Sequence, residues 1–166
     1  MKNKLEKKHV NIHFTQMANE RGRIHLYIKT DDNKYEFFLS NIFPPWEKFF
    51  DLIENIILGN FPYQIYIDQE GSHTIFHAKS SDSNETFELS VYEGIADHKY
   101  FKELFNTSEF VLEFLTKLKQ FIDTEYSEKD WLEGMENDPY GPGGIPMKIS
   151  IEKLDQLIDR INNQLD

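Results

Sequence analysis

Apolar residues alternate with polar ones in short runs, and this period of two constrains the fold more than any other feature of the chain. The first three runs cover residues 10–14, 24–28 and 35–39. Each run puts its apolar side chains on one side of an extended segment, which is typical of a half-buried β-strand. Turn-forming residues separate the runs, namely Glu20-Arg21-Gly22 and Asp31-Asp32-Asn33. The pattern therefore predicts three antiparallel strands joined by short turns.

A helical period follows these strands. Pro44-Pro45 suits the first turn of a helix, where a missing N–H costs little, and Gly59-Asn60 suits its end. The apolar residues between them recur at helical spacing: Trp46, Phe49, Phe50, Ile53, Ile56 and Ile57. The order then repeats, with strands predicted at 63–69, 74–79 and 87–91, and a helix capped by Thr107 or Ser108. The sequence thus predicts three strands and a helix, twice (βββα repeated).

Two segments of the halves also resemble each other. The run DDNKYEFFLS at 31–40 aligns with SDSNETFELS at 81–90, with four identities. An internal duplication would explain this similarity, and so would chance agreement between two amphipathic strands with similar turns.

Short connections between antiparallel strands suit a meander rather than parallel βαβ crossovers. We therefore expect an α+β core domain over residues 1–133, with a mostly antiparallel twisted sheet of about six strands and helices on one face. Pro and Gly recur through 134–149, which predicts a loop. A C-terminal helix is expected over 150–166, with apolar residues that step by three and four: Ile151, Leu154, Ile158, Ile161 and Leu165. This helix is expected to dock on its own domain, or else to pair with a second copy of the chain.

The charge is strongly negative and unevenly distributed. The chain has 18 Lys and Arg against 29 Asp and Glu, a net charge of −11. Residues 1–40 hold 8 basic and 5 acidic residues, whereas residues 41–166 hold 10 and 24. Such a field repels nucleic acid and anionic membranes, and it attracts a basic protein. The alternative is that the excess of acidic residues only keeps the protein in solution and marks no binding partner.

Several classes of site are excluded by what the sequence lacks. The chain has no cysteine, so disulfides, thiolate catalysis and cysteine-ligated zinc are ruled out. No apolar run reaches the ~20 residues of a membrane span, and the basic start is not followed by the apolar segment of a secretory signal. Glycine-rich phosphate-binding motifs are also missing, so no cofactor is expected. We expect a cytoplasmic protein without nucleic-acid or membrane partners.

One hairpin carries residue types that could perform chemistry. Asp68 and Glu70 lie on the same side of a strand, and the turn at Gly71 brings His73 back opposite Asp68. Two carboxylates and an imidazole could hold a divalent metal in a hydrolase. His77 would lie about 13 Å from His73, too far to share one ion. An ion pair at the hairpin end is the alternative.

Aromatic residues near acids suggest a binding surface. The strand residues that alternate with the expected core mix both types: His25, Tyr27, Phe38, Tyr66, Asp68, Glu70, Glu88 and Tyr92. Trp131 lies among Glu128, Asp130 and Glu133, which would suit an aromatic anchor for a basic partner. Alternatively, Trp131 pins an acidic helix end to the core. Trp46 begins an apolar helix and is expected in the core.

The segment from Trp46 to Gly71 resembles a known group of proteins in the order of its elements. An aromatic-rich helix is followed by Gly59-Asn60-Phe61-Pro62 and by a strand that ends in Ile67-Asp68-Gln69-Glu70-Gly71. This order resembles small acidic bacterial proteins similar to the immunity proteins of polymorphic-toxin and contact-dependent inhibition systems. The resemblance implies a cytosolic protein that is not an enzyme and binds one toxin domain.

The sequence therefore predicts an immunity protein that neutralises a basic toxin domain through an acidic, aromatic-containing surface. The expected partner-binding residues are Asp68, Glu70, Glu128, Asp130, Trp131, Glu133 and Glu136. A self-associating structural or regulatory module, dimerised through the C-terminal helix, is one alternative. A metal-dependent hydrolase at Asp68, Glu70 and His73 is the other.

Overall fold

The computed structural model describes residues 6–17, 19–20, 22–94, 99–132 and 149–165. These residues form eight strands and four helices, which confirms the α+β class. The strands are β1 (Lys7–Lys8), β2 (Asn11–Thr15), β3 (Arg23–Lys29), β4 (Lys34–Ser40), β5 (Tyr63–Asp68), β6 (His73–Ser80), β7 (Thr86–Glu93) and β8 (Lys99–Asn106). The helices are α1 (Trp46–Leu58), α2 (Thr107–Thr124), α3 (Glu128–Leu132) and α4 (Ile151–Leu165).

The strands are divided between two sheets, whereas the sequence predicted one sheet of about six. The large sheet has the order β1-β8-β7-β6-β5, and the small sheet has the order β2-β3-β4. All strand pairs are antiparallel except β1 with β8. The division falls where α1 separates β4 from β5 along the chain, since these two strands are neighbours without sharing a ladder.

Strand β8 lies between the strand predicted at 87–91 and the second helix, where the sequence analysis placed no strand. Its inward residues Phe101, Glu103 and Phe105 are paired with Val91, Leu89 and Phe87 of β7. Glu103 is only 8% exposed. Burial, and then the negative charge of the nearby Glu103 carboxylate, raise the pKa of Tyr35. The two halves are therefore unequal, with β2–β4 before α1 and β5–β8 before α2.

The helix ends follow from their capping residues. Gly59 ends α1 in the left-handed region with φ of 67°, and its N–H donates to the Ile56 carbonyl. At the start of α2 the cap is Asn106, whose side-chain oxygen accepts from the Glu109 N–H at 2.9 Å. Thr107, one of the two predicted caps, is the first helical residue. The amide of Asn106 performs the capping because its backbone is still extended at the end of β8.

One apolar core joins both sheets and the helices. Phe37 of β4 contacts the ring of Phe76 in β6 at 5.2 Å between centroids, and Phe14 of β2 contacts Phe114 of α2 at 5.4 Å. Trp46 is buried beside Phe14, which confirms the prediction that it belongs to the core.

Helix α4 packs on α2 and lies close to α1. Leu154, Leu157 and Ile161 are buried, whereas Ile151 is 39% exposed. The buried stripe therefore differs from the predicted one, with Leu157 in place of Ile151. Lys119 of α2 pairs with Asp155, and Arg160 lies 3.6 Å from Glu54 of α1. The predicted loop at 134–149 lies outside the described residues except for Ile149. Among the described helices, none combines the length and the apolar character needed to cross a bilayer.

Candidate functional site: an acidic rim at one end of the small sheet

The two acidic segments singled out in the sequence meet at the same end of the small sheet. Arg23 begins β3 and is paired in register with Ser40, the last residue of β4. The next residues outward, Gly22 and Asn41, continue this pairing, since the Asn41 N–H donates to the Gly22 carbonyl at 2.9 Å. These four residues are the attachment point for both segments.

The β5–β6 hairpin attaches through the side chains of its turn. The Glu70 carboxylate accepts from the Ser40 hydroxyl at 2.6 Å and from the Arg23 guanidinium at 3.2 Å. The Gln69 amide donates to the Phe38 carbonyl at 3.0 Å. Glu70 has φ of 59°, and its N–H donates to an Asp68 carboxylate oxygen at 2.9 Å. The hairpin thus links the two sheets and holds Asp68 and Glu70 at the end of the small sheet.

Helix α3 attaches to the neighbouring residues. The Gly22 N–H donates to the Asp130 carbonyl at 3.0 Å, and the Asn41 side chain donates to the Trp131 carbonyl at 2.6 Å. A Cβ atom on Gly22 would lie 2.7 Å from the Asn41 amide nitrogen, so only glycine fits here without a shift. The short helix is therefore fixed in position by the ends of β3 and β4.

We call Asp68, Glu70, Glu128 and Asp130 the acidic rim. Glu70 and Glu128 are exposed, and Asp68 and Asp130 are half-buried. Two of the predicted partner-binding residues, Glu133 and Glu136, lie outside the described residues. The sequence contained both acidic segments, but their proximity depends on hydrogen bonds between residues 30 and 90 positions apart.

Trp131 is not an exposed anchor, and this part of the predicted site is wrong. Its side chain is fully buried, and its ring lies 6.3 Å from that of Trp46. The acids around it in the sequence suggested a solvent-facing residue. In α3, however, Glu128 lies on the exposed side while Trp131 points into the core. The alternative, that Trp131 pins an acidic helix end to the core, is the arrangement observed.

The outer face of the small sheet holds a second group of polar and aromatic residues. The ring nitrogens of His25 lie 2.8 Å from Glu36 and 2.5 Å from Glu20, and the Tyr27 hydroxyl donates to Glu36 at 2.9 Å. Partial burial opposes ionisation of Glu36, but the hydrogen bonds from His25 and Tyr27 outweigh it and lower its pKa. Burial, and then the Glu36 contact, raise the pKa of Tyr27. His25 and Tyr27 are thus buried in this internal network.

The hydrolase alternative needs Asp68, Glu70 and His73 around one ion. Asp68 and His73 are register partners, but the Glu70 carboxylate is turned toward Ser40 and Arg23. Within the described part of the chain, no three His, Asp or Glu side chains are grouped closely enough to hold a metal.

A cleft lies away from the acidic rim. It has a volume of about 700 Å³ and lies between the end of α1, the β6–β7 loop and the start of α2. Its lining is rich in hydroxyl and amide groups, among them Ser80, Ser83, Asn84, Thr107 and Ser108. None of the predicted site residues lines it.

No protein-family model, curated protein or solved structure matches this chain. The function is therefore argued from the geometry and charge of the site.

Proposed function

We propose that this chain is a non-enzymatic binding protein that docks a basic domain of another protein on its acidic rim. In this proposal it acts as an immunity protein and neutralises a toxin domain by covering it. The observation that carries the proposal is the convergence of two acidic segments, distant in sequence, at the ends of β3 and β4.

The electrostatics of the rim support this role. Glu70 is already paired with Arg23, so its charge is largely balanced within the chain. Asp68, Glu128 and Asp130 add negative charge beside it, in a molecule whose net charge is −11. A concentrated field of one sign speeds the encounter with an oppositely charged protein and orients it. The energy of the final complex would come from a few well-packed contacts rather than from the charges.

The test is co-expression with candidate toxin domains chosen from the genes beside this one, followed by measurement of the association rate of the purified pair. The variant D68N/E128Q/D130N neutralises the rim and leaves the Glu70 link intact. The control D82N/E85Q removes two charges from the β6–β7 loop, at the opposite end of the eight-residue strand β6. We expect the rim variant to associate about tenfold more slowly at low salt and the control to retain most of the wild-type rate.

The salt dependence provides the second readout. Wild type and control should slow as NaCl rises, while the rim variant should respond much less. Equal rates for the rim variant and wild type, or a failure of the wild-type chain to bind or protect, would contradict the proposal.

A further inference from the structure

Tyr66 is the large aromatic side chain most exposed on the outer face of the large sheet. It lies near the end of β5, is 47% exposed and precedes Asp68 by two residues on the same side of the strand. Residues i and i+2 of a strand are about 7 Å apart, so the two side chains occupy adjacent positions on this face. Tyr66 therefore extends the acidic rim onto the outer face of the large sheet.

The ring of Tyr66 is held in place before any partner arrives. The Gln64 amide donates to its hydroxyl at 2.7 Å, and the His73 ring lies 6.1 Å away across the strand pair. The backbone carbonyl of Tyr66 accepts from Lys48 of α1 at 2.7 Å. That bond lies at the strand edge, whereas the ring stands on the face. A side chain ordered in advance loses little conformational entropy on binding, which is a property of interface anchors.

Asp68 supplies an unused acceptor beside this ring. One of its carboxylate oxygens accepts from the Glu70 N–H. The other has no hydrogen-bond partner among the residues that the structure describes. A ring face and a carboxylate side by side are the two groups that bind a guanidinium, which stacks on the one and pairs with the other.

The chain already contains this combination a short distance away. The Arg23 guanidinium lies 4.8 Å from the centre of the Phe38 ring and 3.2 Å from the Glu70 carboxylate. Phe38 and Glu70 thus bind an arginine of the same chain, while Tyr66 and Asp68 present the same two groups to the outside.

We propose that Tyr66 and Asp68 form a receptor for an arginine side chain in an extended basic segment of the protein partner. This inference rests on the proposed function and adds the contact that anchors the partner after the acidic rim has attracted it. Arginine is favoured over lysine because the planar guanidinium stacks on a ring and pairs with a carboxylate at the same time.

The test uses NMR titration of the full chain with the peptide acetyl-(Gly-Arg)4-amide, and with its citrulline counterpart as the uncharged control. We expect the arginine peptide to shift the Tyr66 ring and the Asp68 backbone amide, and the citrulline peptide to leave both unchanged. Tyr66→Ala and Tyr66→Leu should weaken binding about two- to fivefold, while Tyr66→Phe should retain most of it. Leu58→Ala, at an equally exposed residue beside the opposite cleft, is the matched control and should bind like wild type.

The outcomes separate this inference from the proposed function. Peptide-induced shifts confined to Glu128 and Asp130, or equal affinities for wild type and Tyr66→Leu, would overturn the arginine receptor and leave the acidic rim standing. Loss of toxin binding in the rim variant, together with unchanged binding in Tyr66→Ala, would also overturn the arginine receptor and leave the acidic rim standing. A toxin domain that fails to bind the wild-type chain, with a peptide that still shifts Tyr66, would overturn the proposed function alone.

Discussion

Glu36 shows how a half-exposed carboxylate becomes part of the structure. Its side chain lies at the centre of the network on the outer face of the small sheet, where it accepts from His25 and from Tyr27. Tyr27 in turn lies between the rings of His13 and His25, and the Lys34 ammonium lies 4.2 Å from its ring centre. The network orders the outer face of the small sheet.

The lowered pKa of Glu36 predicts how this network responds to acid. A carboxylate whose pKa is lower in the folded state stabilises the fold above its ordinary value of 4.5, and loses this effect as the pH falls through the folded value. Glu36→Gln should therefore lower the free energy of unfolding at pH 7, by less than about 1 kcal/mol because Glu36 is half-exposed. The difference from wild type should shrink between pH 5 and pH 3, as measured by urea unfolding. A difference that stays constant over this range would contradict the assigned cause.

At the scale of elements, the sequence predicted those strands whose inward residues are mostly apolar. Ile12 and Phe14 in β2, and Ile65 and Ile67 in β5, alternate as expected and are buried. β8 was missed because Glu103 occupies an inward position, which breaks the apolar period. Its carboxylate lies near the Tyr35 hydroxyl, which is 68 residues away in the sequence, and no local pattern reveals this proximity.

The position of the acidic rim was beyond local patterns for a similar reason. The four acids of the rim could be chosen from their sequence neighbours. The place where they meet, however, depends on Gly22, Arg23 and Ser40.

The buried stripe of α4 differs from the predicted one because this helix has several apolar residues and only some of them can face its own domain. Packing on α2 buries Leu157 and leaves Ile151 exposed.

The attachment of α3 predicts unequal costs for two glycine substitutions. Gly22 and Gly59 have similar φ values of 74° and 67°, so alanine incurs a comparable backbone penalty of about 1–2 kcal/mol at either site. An added Cβ at Gly59 meets no atom within 4 Å, whereas at Gly22 it meets the Asn41 side chain that holds α3. Gly22→Ala should therefore destabilise the protein by at least about 1 kcal/mol more than Gly59→Ala, as measured by urea unfolding. Equal losses would show that Asn41 does not position α3.

The docking of α4 predicts a contrast between two isoleucines of the same helix. Ile161→Ala removes a buried side chain and should cost about 2–4 kcal/mol, while Ile151→Ala at an exposed site should cost under about 1 kcal/mol. Light scattering of both variants also tests the alternative of a dimer formed through this helix. A dimeric wild type that Ile151→Ala converts to monomers would favour self-association. Monomers throughout, with the stability contrast above, would favour α4 as a part of its own domain.

At the scale of the whole molecule, charge and core are organised differently. The acids of the rim gather at one end, whereas the core is a single apolar cluster to which both sheets and all four helices contribute. The inner residues of the small sheet contact the large sheet directly, for example Phe37 with Phe101 at 6.5 Å between ring centres. At the surface, Gln69 and Glu70 add a polar link between the same two sheets. Among the described strands no backbone ladder joins the two sheets, but their inner faces belong to one core.

A shared core predicts that the two sheets unfold together, because neither can keep its inner face buried without the other. Fluorescence of Trp46 and Trp131 reports on α1 and α3 beside the small sheet, and the amide signals of Val91 and Phe105 report on the large sheet. Both probes should give the same urea midpoint and the same dependence on urea. Glu70→Gln, which weakens the polar link but leaves the core intact, should lower both midpoints equally. Two different urea midpoints in wild type would mean that the sheets belong to independent units. If the two midpoints differ only in Glu70→Gln, the sheets are coupled by the Arg23–Glu70–Ser40 link instead of by the shared core.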